Sequence, residues 1–113
     1  MQKAMQQDGY EQLASVLQAA YDQASKGKGN ERHANNLPFH EQRMQQISTL
    51  LNSDNGMAYQ VCKKVAEGLQ FTDHHRRETE LLGAIVYLSG IIIYHRNSPP
   101  IAISKPGTQC NAG

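Results

Sequence analysis

The sequence feature that most constrains the fold is a stretch of 14 uncharged, largely apolar residues from Leu81 to Tyr94. It is too short for a membrane-spanning helix, which needs about 20 such residues. A helix that is apolar on nearly all sides must be covered by other helices or by a second copy of the chain. Gly83 and Gly90 lie on one face and permit a neighbouring backbone to come close. We therefore expect a buried or interface helix, and a homo-oligomer formed through this segment.

Two further segments before it have the apolar spacing of amphipathic helices. The first spans residues 6–25, where Asp8 and Glu11 are placed as in a capping box. The second begins at Pro38, a residue suited to the first turn of a helix, and ends near Asn52. Its predicted apolar stripe consists of Phe39, Met44, Ile47, Leu50 and Leu51.

A third helix follows the turn formed by residues 53–56. Its predicted inner face consists of Ala58, Val61, Cys62, Val65, Ala66 and Leu69. This assignment places Lys63 and Lys64 on the outer side. The fourth helix contains the apolar stretch, and Thr72 or Asp73 is expected to cap its start.

The predicted fold is therefore all-α, a compact four-helix domain over residues 1–96 with a long loop between helices one and two. Residues 97–113 are rich in proline and glycine, and we expect an extended or disordered tail there. The chain of 113 residues has 11 basic and 10 acidic side chains, a net charge of +1. This balance argues against binding nucleic acid or an anionic membrane by bulk charge.

The two cysteines, Cys62 and Cys110, indicate neither a disulfide framework nor a zinc site. The first ten residues contain no apolar leader segment. We therefore expect a cytoplasmic protein, in the host-cell cytoplasm if the chain is encoded by a phage. No metal is expected, because the histidines are not arranged in a known ligand motif.

The loop between helices one and two is the strongest candidate for a binding site. It concentrates cations and glycines, which suit a phosphate group. The candidate ligands are Lys26, Lys28, Arg32 and His33, with His40 at the start of helix two. The loop is also longer than the roughly 2 to 8 residues that usually join two helices. A solvated connector explains the same composition equally well, and the spacing is not that of a P-loop.

Two other basic groups are candidates for supporting the same ligand. Lys63 and Lys64 lie on helix three, and Arg76 and Arg77 lie in the first turn of helix four. The structural alternative is a solvated face for the lysines and local acid partners for the arginines. Positive charge at a helix start is unfavourable unless an acid or a bound anion offsets it.

Enzyme motifs are not found in the sequence. Cys62 and Ser89 occupy apolar positions with no base beside them, so we expect no catalytic residues and no cofactor. Small all-α nucleotide pyrophosphohydrolases hold magnesium with Glu-x-x-Glu and Glu-x-x-Asp sets, and this chain lacks both. A magnesium-dependent hydrolase stays open as an alternative, with carboxylates converging from separate helices.

Four short motifs between residues 26 and 94 suggest a family. They are Gly27-Lys28-Gly29-x-Glu31-Arg32-His33, Pro38-Phe39-x-x-Gln42, Lys63-Lys64-x-x-Glu67 and Glu80-Leu81-Leu82-Gly83-Ala84-Ile85-x-Tyr87. In these motifs the chain resembles a group of small helical proteins found in phages and prophages. The resemblance implies an antagonist of host defences, and it carries over no catalytic residues.

The resulting expectation is a non-catalytic protein that captures a phosphorylated small molecule, such as a nucleotide or a cyclic-nucleotide immune signal. The alternative from another class is an interaction protein that inhibits a host defence or replication protein.

Overall fold

The computed structural model describes residues 7–26 and 37–98. It contains four α-helices, and a turn of 3₁₀-helix at Phe39–Glu41 precedes the second of them. The α-helices are α1 (Glu11–Lys26), α2 (Arg43–Leu51), α3 (Asn55–Gly68) and α4 (His74–Arg96). No strand occurs in the two described ranges, which confirms the predicted all-α fold. Most of the predicted tail, residues 99–113, and most of the first loop lie outside these ranges.

The second helix begins later than the sequence indicated. Pro38 is extended, with φ −56° and ψ 153°, and only the single 3₁₀ turn follows it. Gln42 is extended again, with φ −74° and ψ 173°, so the chain bends before α2 starts at Arg43. The side-chain amide of Gln42 donates a hydrogen bond of 2.9 Å to the carbonyl of Leu37 and closes this bend.

The predicted apolar stripe of the second helix is also wrong in part. The residues that α2 buries are Gln45 and Ser48, whereas Leu50 is 83% exposed. Gln45 donates 2.8 Å to the carbonyl of Gly90, and Tyr94 donates 3.3 Å to the carbonyl of Ser48. These bonds satisfy buried polar groups, and α2 therefore docks on α4 through polar as well as apolar contacts.

A tight left-handed turn connects α2 to α3. Asn52 has φ 53° and ψ 45°, a conformation that asparagine tolerates better than most residues. Its backbone N–H donates to the carbonyl of Thr49, and that of Ser53 donates to the carbonyl of Ser48. The chain thus reverses within three residues and places α3 beside α2.

Helices α3 and α4 form an antiparallel hairpin. The start of α3 lies near the end of α4, where Asp54 and His95 pair at 2.6 Å. The end of α3 lies near the start of α4, because a Cβ at Gly68 would be 3.0 Å from the Cβ of Glu80. Asp73 caps α4 by accepting 2.9 Å from the backbone N–H of Arg76, which confirms one of the two predicted caps.

The inner face predicted for α3 is wrong in part, since only Ala58 and Val61 of its six residues are half-buried. Met57 is fully buried and Lys64 is half-buried, whereas Cys62, Val65 and Leu69 are exposed. The reason lies in α4, whose Gly90 and Gly83 have no side chains. A Cβ there would be 2.9 Å from Met57 Sδ and 2.8 Å from Lys64 Cδ, respectively. Long, unbranched side chains fill these positions, and the contact face of α3 is rotated accordingly.

Helix α1 packs against α4 through its C-terminal half. Ala20 is buried, and the side-chain amide of Gln23 donates 3.1 Å to the carbonyl of Thr79. Among the described helices, none is long and apolar enough to cross a membrane.

Candidate functional site

A groove with a volume of about 660 Å³ lies among the four helices, and we call it the central groove. Its walls mix charged, amide, aromatic and apolar side chains. The charged residues are Arg43, Lys64 and Glu80; the amides are Gln23, Gln42 and Gln60; the aromatic residues are Phe39 and Tyr87. Two cations and one carboxylate give these walls a net charge of +1.

Lys64 and Glu80 form an ion pair in the wall of the central groove. Lys64 Nζ is 3.4 Å from Glu80 Oε1, and both side chains are less than a third exposed. The lysine stem lies over the bare backbone of Gly83, as the close approach of its Cδ shows. Packing of its aliphatic chain therefore positions the Lys64 ammonium at the groove, where it forms an ion pair with the Glu80 carboxylate.

The start of α2 forms a second positive region of the groove. Arg43 is the first residue of α2, and within the described ranges it makes no ion pair. The Gln42 side chain bonds to Leu37 and does not cap the helix. The positive end of the α2 dipole therefore adds to the charge of Arg43.

The structure separates the basic residues that the sequence grouped as one candidate site. Lys64 lines the central groove, whereas the adjacent Lys63 is exposed and does not line it. Lys26 lies at the end of α1 and pairs with Asp22 at 3.4 Å. His40 is exposed and lies 3.5 Å from Glu41. The remaining loop candidates, Lys28, Arg32 and His33, lie outside the described residues.

The arginine pair at the start of α4 has structural contacts. The guanidinium of Arg76 lies 4.2 Å from the centroid of the Phe71 ring, a cation–π contact. Arg77 donates 3.4 Å to the backbone carbonyl of Phe71. Both arginines thus contact Phe71 in the connection between α3 and α4. Neither arginine lines the central groove.

Sequence reasoning missed Arg43 and the role of Glu80. For Glu80 a signal was present, because it lies in the fourth of the short motifs, whereas Arg43 lies in none of them. Three of the four motifs contribute to the groove wall: Phe39 and Gln42 from the second, Lys64 from the third, and Glu80, Gly83 and Tyr87 from the fourth. The bend before α2 and the antiparallel hairpin bring these distant segments together.

The described residues contain no group of three or more His, Cys, Asp or Glu side chains suited to hold a metal ion. The central groove therefore offers a cationic and aromatic lining with a single carboxylate, Glu80. No protein-family model, curated protein or solved structure matches this chain.

Proposed function

We propose that this protein is a non-catalytic binding protein that captures a phosphorylated small molecule of nucleotide size in the central groove. The observation that carries the proposal is the placement of Lys64 and Arg43 in one groove with the aromatic residues Phe39 and Tyr87. Its volume of about 660 Å³ falls within the range of roughly 300 to 1,000 Å³ typical of small-molecule sites.

The chemistry of the lining suits a phosphate attached to a ring. The guanidinium of Arg43 and the ammonium of Lys64 donate charge-assisted hydrogen bonds to phosphate oxygens. The ring of Phe39 or Tyr87 offers a flat apolar surface for a base. A phosphate monoester carries about −1.5 to −2 charge at pH 7 and a cyclic phosphodiester carries one negative charge, so either group competes with the singly charged Glu80 carboxylate for Lys64 when it enters.

The family resemblance indicates which ligands to test first. Its implied role is antagonism of host defences, either by binding a host protein or by sequestering a nucleotide immune signal, so cyclic nucleotides belong in the ligand panel beside mono-, di- and triphosphates. Lys28, Arg32 and His33 remain proposed additional phosphate ligands from the first loop.

Isothermal titration of the full chain with this panel tests the proposal. We expect at least one nucleotide to bind with micromolar or tighter affinity. Lys64→Gln should weaken that binding about 10- to 100-fold, because a hydrogen bond to a charged group contributes roughly 1.5–3 kcal/mol. Lys63→Gln is the matched control, since it removes the same charge one residue away and outside the groove. No binding by any nucleotide, or equal losses in the two variants, contradicts the proposal.

Glu80→Gln provides an independent test of the sign of the ligand's charge. This variant removes the carboxylate that competes for Lys64 and should therefore bind the nucleotide more tightly. Weaker binding would show that Glu80 itself holds the ligand, against the proposal of an anion at Lys64.

The bound nucleotide should also remain intact during incubation with magnesium. Hydrolysis that EDTA abolishes would instead establish the magnesium-dependent enzyme.

A further inference from the structure

Helix α3 carries an apolar stripe on its exposed side. The stripe consists of Ala58, Cys62 and Val65 within α3 and of Leu69 at its C-cap. Their spacing of four, three and four residues is the heptad spacing of helices that pack along their length. Val65 is 36% exposed and Leu69 is 50% exposed, so the described part of the chain leaves the stripe largely uncovered.

Helix α4 carries a second stripe with the same spacing. It consists of Leu81, Ile85, Leu88 and Ile92. Leu88 is 48% exposed and Ile92 is 52% exposed. The apolar stretch that dominates the sequence is therefore buried on one side only, where Leu82, Ala84 and Gly90 pack inside the fold.

The two stripes lie on the same side of the hairpin. At 3.6 residues per turn, the α3 stripe is roughly opposite Gln60 and Lys64, which line the central groove. By the same count, the α4 stripe is roughly opposite Gly83 and Val86, which also line it. The two helices are in contact, and both stripes lie on the side opposite the central groove. The stripes therefore form one continuous apolar face, which we call the hairpin face.

The hairpin face has the size and composition of a helix-packing surface. Each stripe spans 12 residues from its first to its last member, a rise of about 17 Å at 1.5 Å per residue. All eight members are uncharged. A contiguous apolar surface on two adjacent helices is unusual in an isolated soluble chain and marks an interaction site.

The segments outside the described ranges have few large apolar side chains with which to cover this face. The segments outside the described ranges supply only Met1, Met5, Ile101 and Ile103. Helix α2 packs on the groove side, where Met44 meets Gly90. A second hairpin face, by contrast, matches the first in length, spacing and lack of charge.

We propose that this protein forms a two-fold symmetric homodimer in which two hairpin faces pack together as a four-helix bundle. A two-fold axis presents the same surface from both copies, as a self-complementary face requires. Antiparallel helix pairs with heptad stripes are the building units of such bundles. The sequence alone predicted a contact through all of residues 81–94. The proposed dimer contact uses only one side of α4 and also includes the stripe of α3. It is independent of the ligand proposed for the groove, which lies on the opposite side.

Sedimentation equilibrium of the full chain at 10 to 500 µM tests the dimer. We expect a mass of twice 12.6 kDa. Leu88→Glu places a charge in the centre of the face and should raise the dimer dissociation constant at least 100-fold. Leu50→Glu is the matched control, because Leu50 is an exposed leucine on α2, outside the face. It should remain dimeric, and far-ultraviolet circular dichroism should show unchanged helix content in both variants.

Val65→Glu is the second test and addresses the α3 stripe separately. Because Val65 is already partly exposed, the substitution should leave the protomer folded and still produce a monomer. A monomeric wild-type protein at 500 µM overturns the proposal. A dimer that survives both Leu88→Glu and Val65→Glu, or that is lost equally in Leu50→Glu, overturns it as well.

Discussion

Two adjacent lysines show how far neighbouring residues can differ in role. Lys63 is exposed to solvent, whereas Lys64 lies over Gly83 and pairs with Glu80. Sequence periodicity placed both on the outer side of α3, because its apolar residues were assigned to the core. The sequence did not show that the aliphatic part of the Lys64 side chain packs against α4 where Gly83 has no side chain. A glycine in a sequence does not reveal which side chain will fill the space beside it.

Gly90 gives the clearest prediction at the scale of single residues. Gly90→Ala would place a Cβ 2.9 Å from Met57 Sδ and 3.2 Å from Met44 Sδ. Met57 is fully buried and has little room to move, and such overpacking typically costs about 1–3 kcal/mol. Alanine recovers only up to about 1 kcal/mol in helix propensity. We expect a net loss in the free energy of unfolding of up to about 2 kcal/mol, measured by urea denaturation.

Gly56→Ala is the control for this prediction. Gly56 lies in the first turn of α3, and a Cβ there meets nothing within 4 Å. The same substitution should therefore raise the free energy of unfolding by a few tenths to about 1 kcal/mol. Equal stability changes in the two variants would contradict the packing explanation.

At the scale of the helices, the sequence predicted their number and order, and the bounds of α4 to within a few residues, whereas α1 begins at Glu11, five residues later than predicted. The sequence prediction was wrong at the start of the second helix and on the face of α3. The 3₁₀ turn at Phe39–Glu41 replaced the first turn expected after Pro38, because Gln42 bonds to the carbonyl of Leu37. The face of α3 was wrong in part because an apolar stripe shows which residues need cover, and it does not show whether the cover comes from the same chain.

The cap of α4 gives a prediction at this scale. Asp73→Ala removes the carboxylate that accepts from the backbone N–H of Arg76. It should reduce the free energy of unfolding by about 1 kcal/mol, the typical value for losing an N-cap side chain. Thr72→Ala is the matched control, since Thr72 was the other candidate cap and is exposed. A loss of the same size in Thr72→Ala, measured by urea denaturation, would contradict the assignment of the cap to Asp73.

At the scale of the whole molecule, the candidate site could be predicted only in part. The sequence indicated basic groups that could hold a phosphate, and Lys64 is one of the residues that line the central groove. Arg43 and Glu80 were not assigned to the site because they lie 37 residues apart. Their proximity to the same groove depends on the bend at Gln42 and on the antiparallel hairpin, neither of which is set by local periodicity.

The proposed dimer makes thermal stability depend on protein concentration. The described residues include only four buried hydrophobic side chains, Ala20, Met57, Leu82 and Ala84. Joining two hairpin faces adds apolar burial, and any association restricted to the folded state stabilises it by mass action. A 100-fold increase in concentration should therefore raise the Tm by several degrees, since about 1 kcal/mol corresponds to roughly 4–8 °C in a domain of this size.

Differential scanning calorimetry of the wild-type chain and Leu88→Glu at several concentrations measures this effect. In Leu88→Glu the Tm should be lower and independent of concentration, because the monomer gains nothing from mass action. Leu50→Glu should retain the wild-type dependence. If the wild-type Tm is constant over a 100-fold range, folding is not coupled to self-association, and the hairpin face contributes no stability through a second copy.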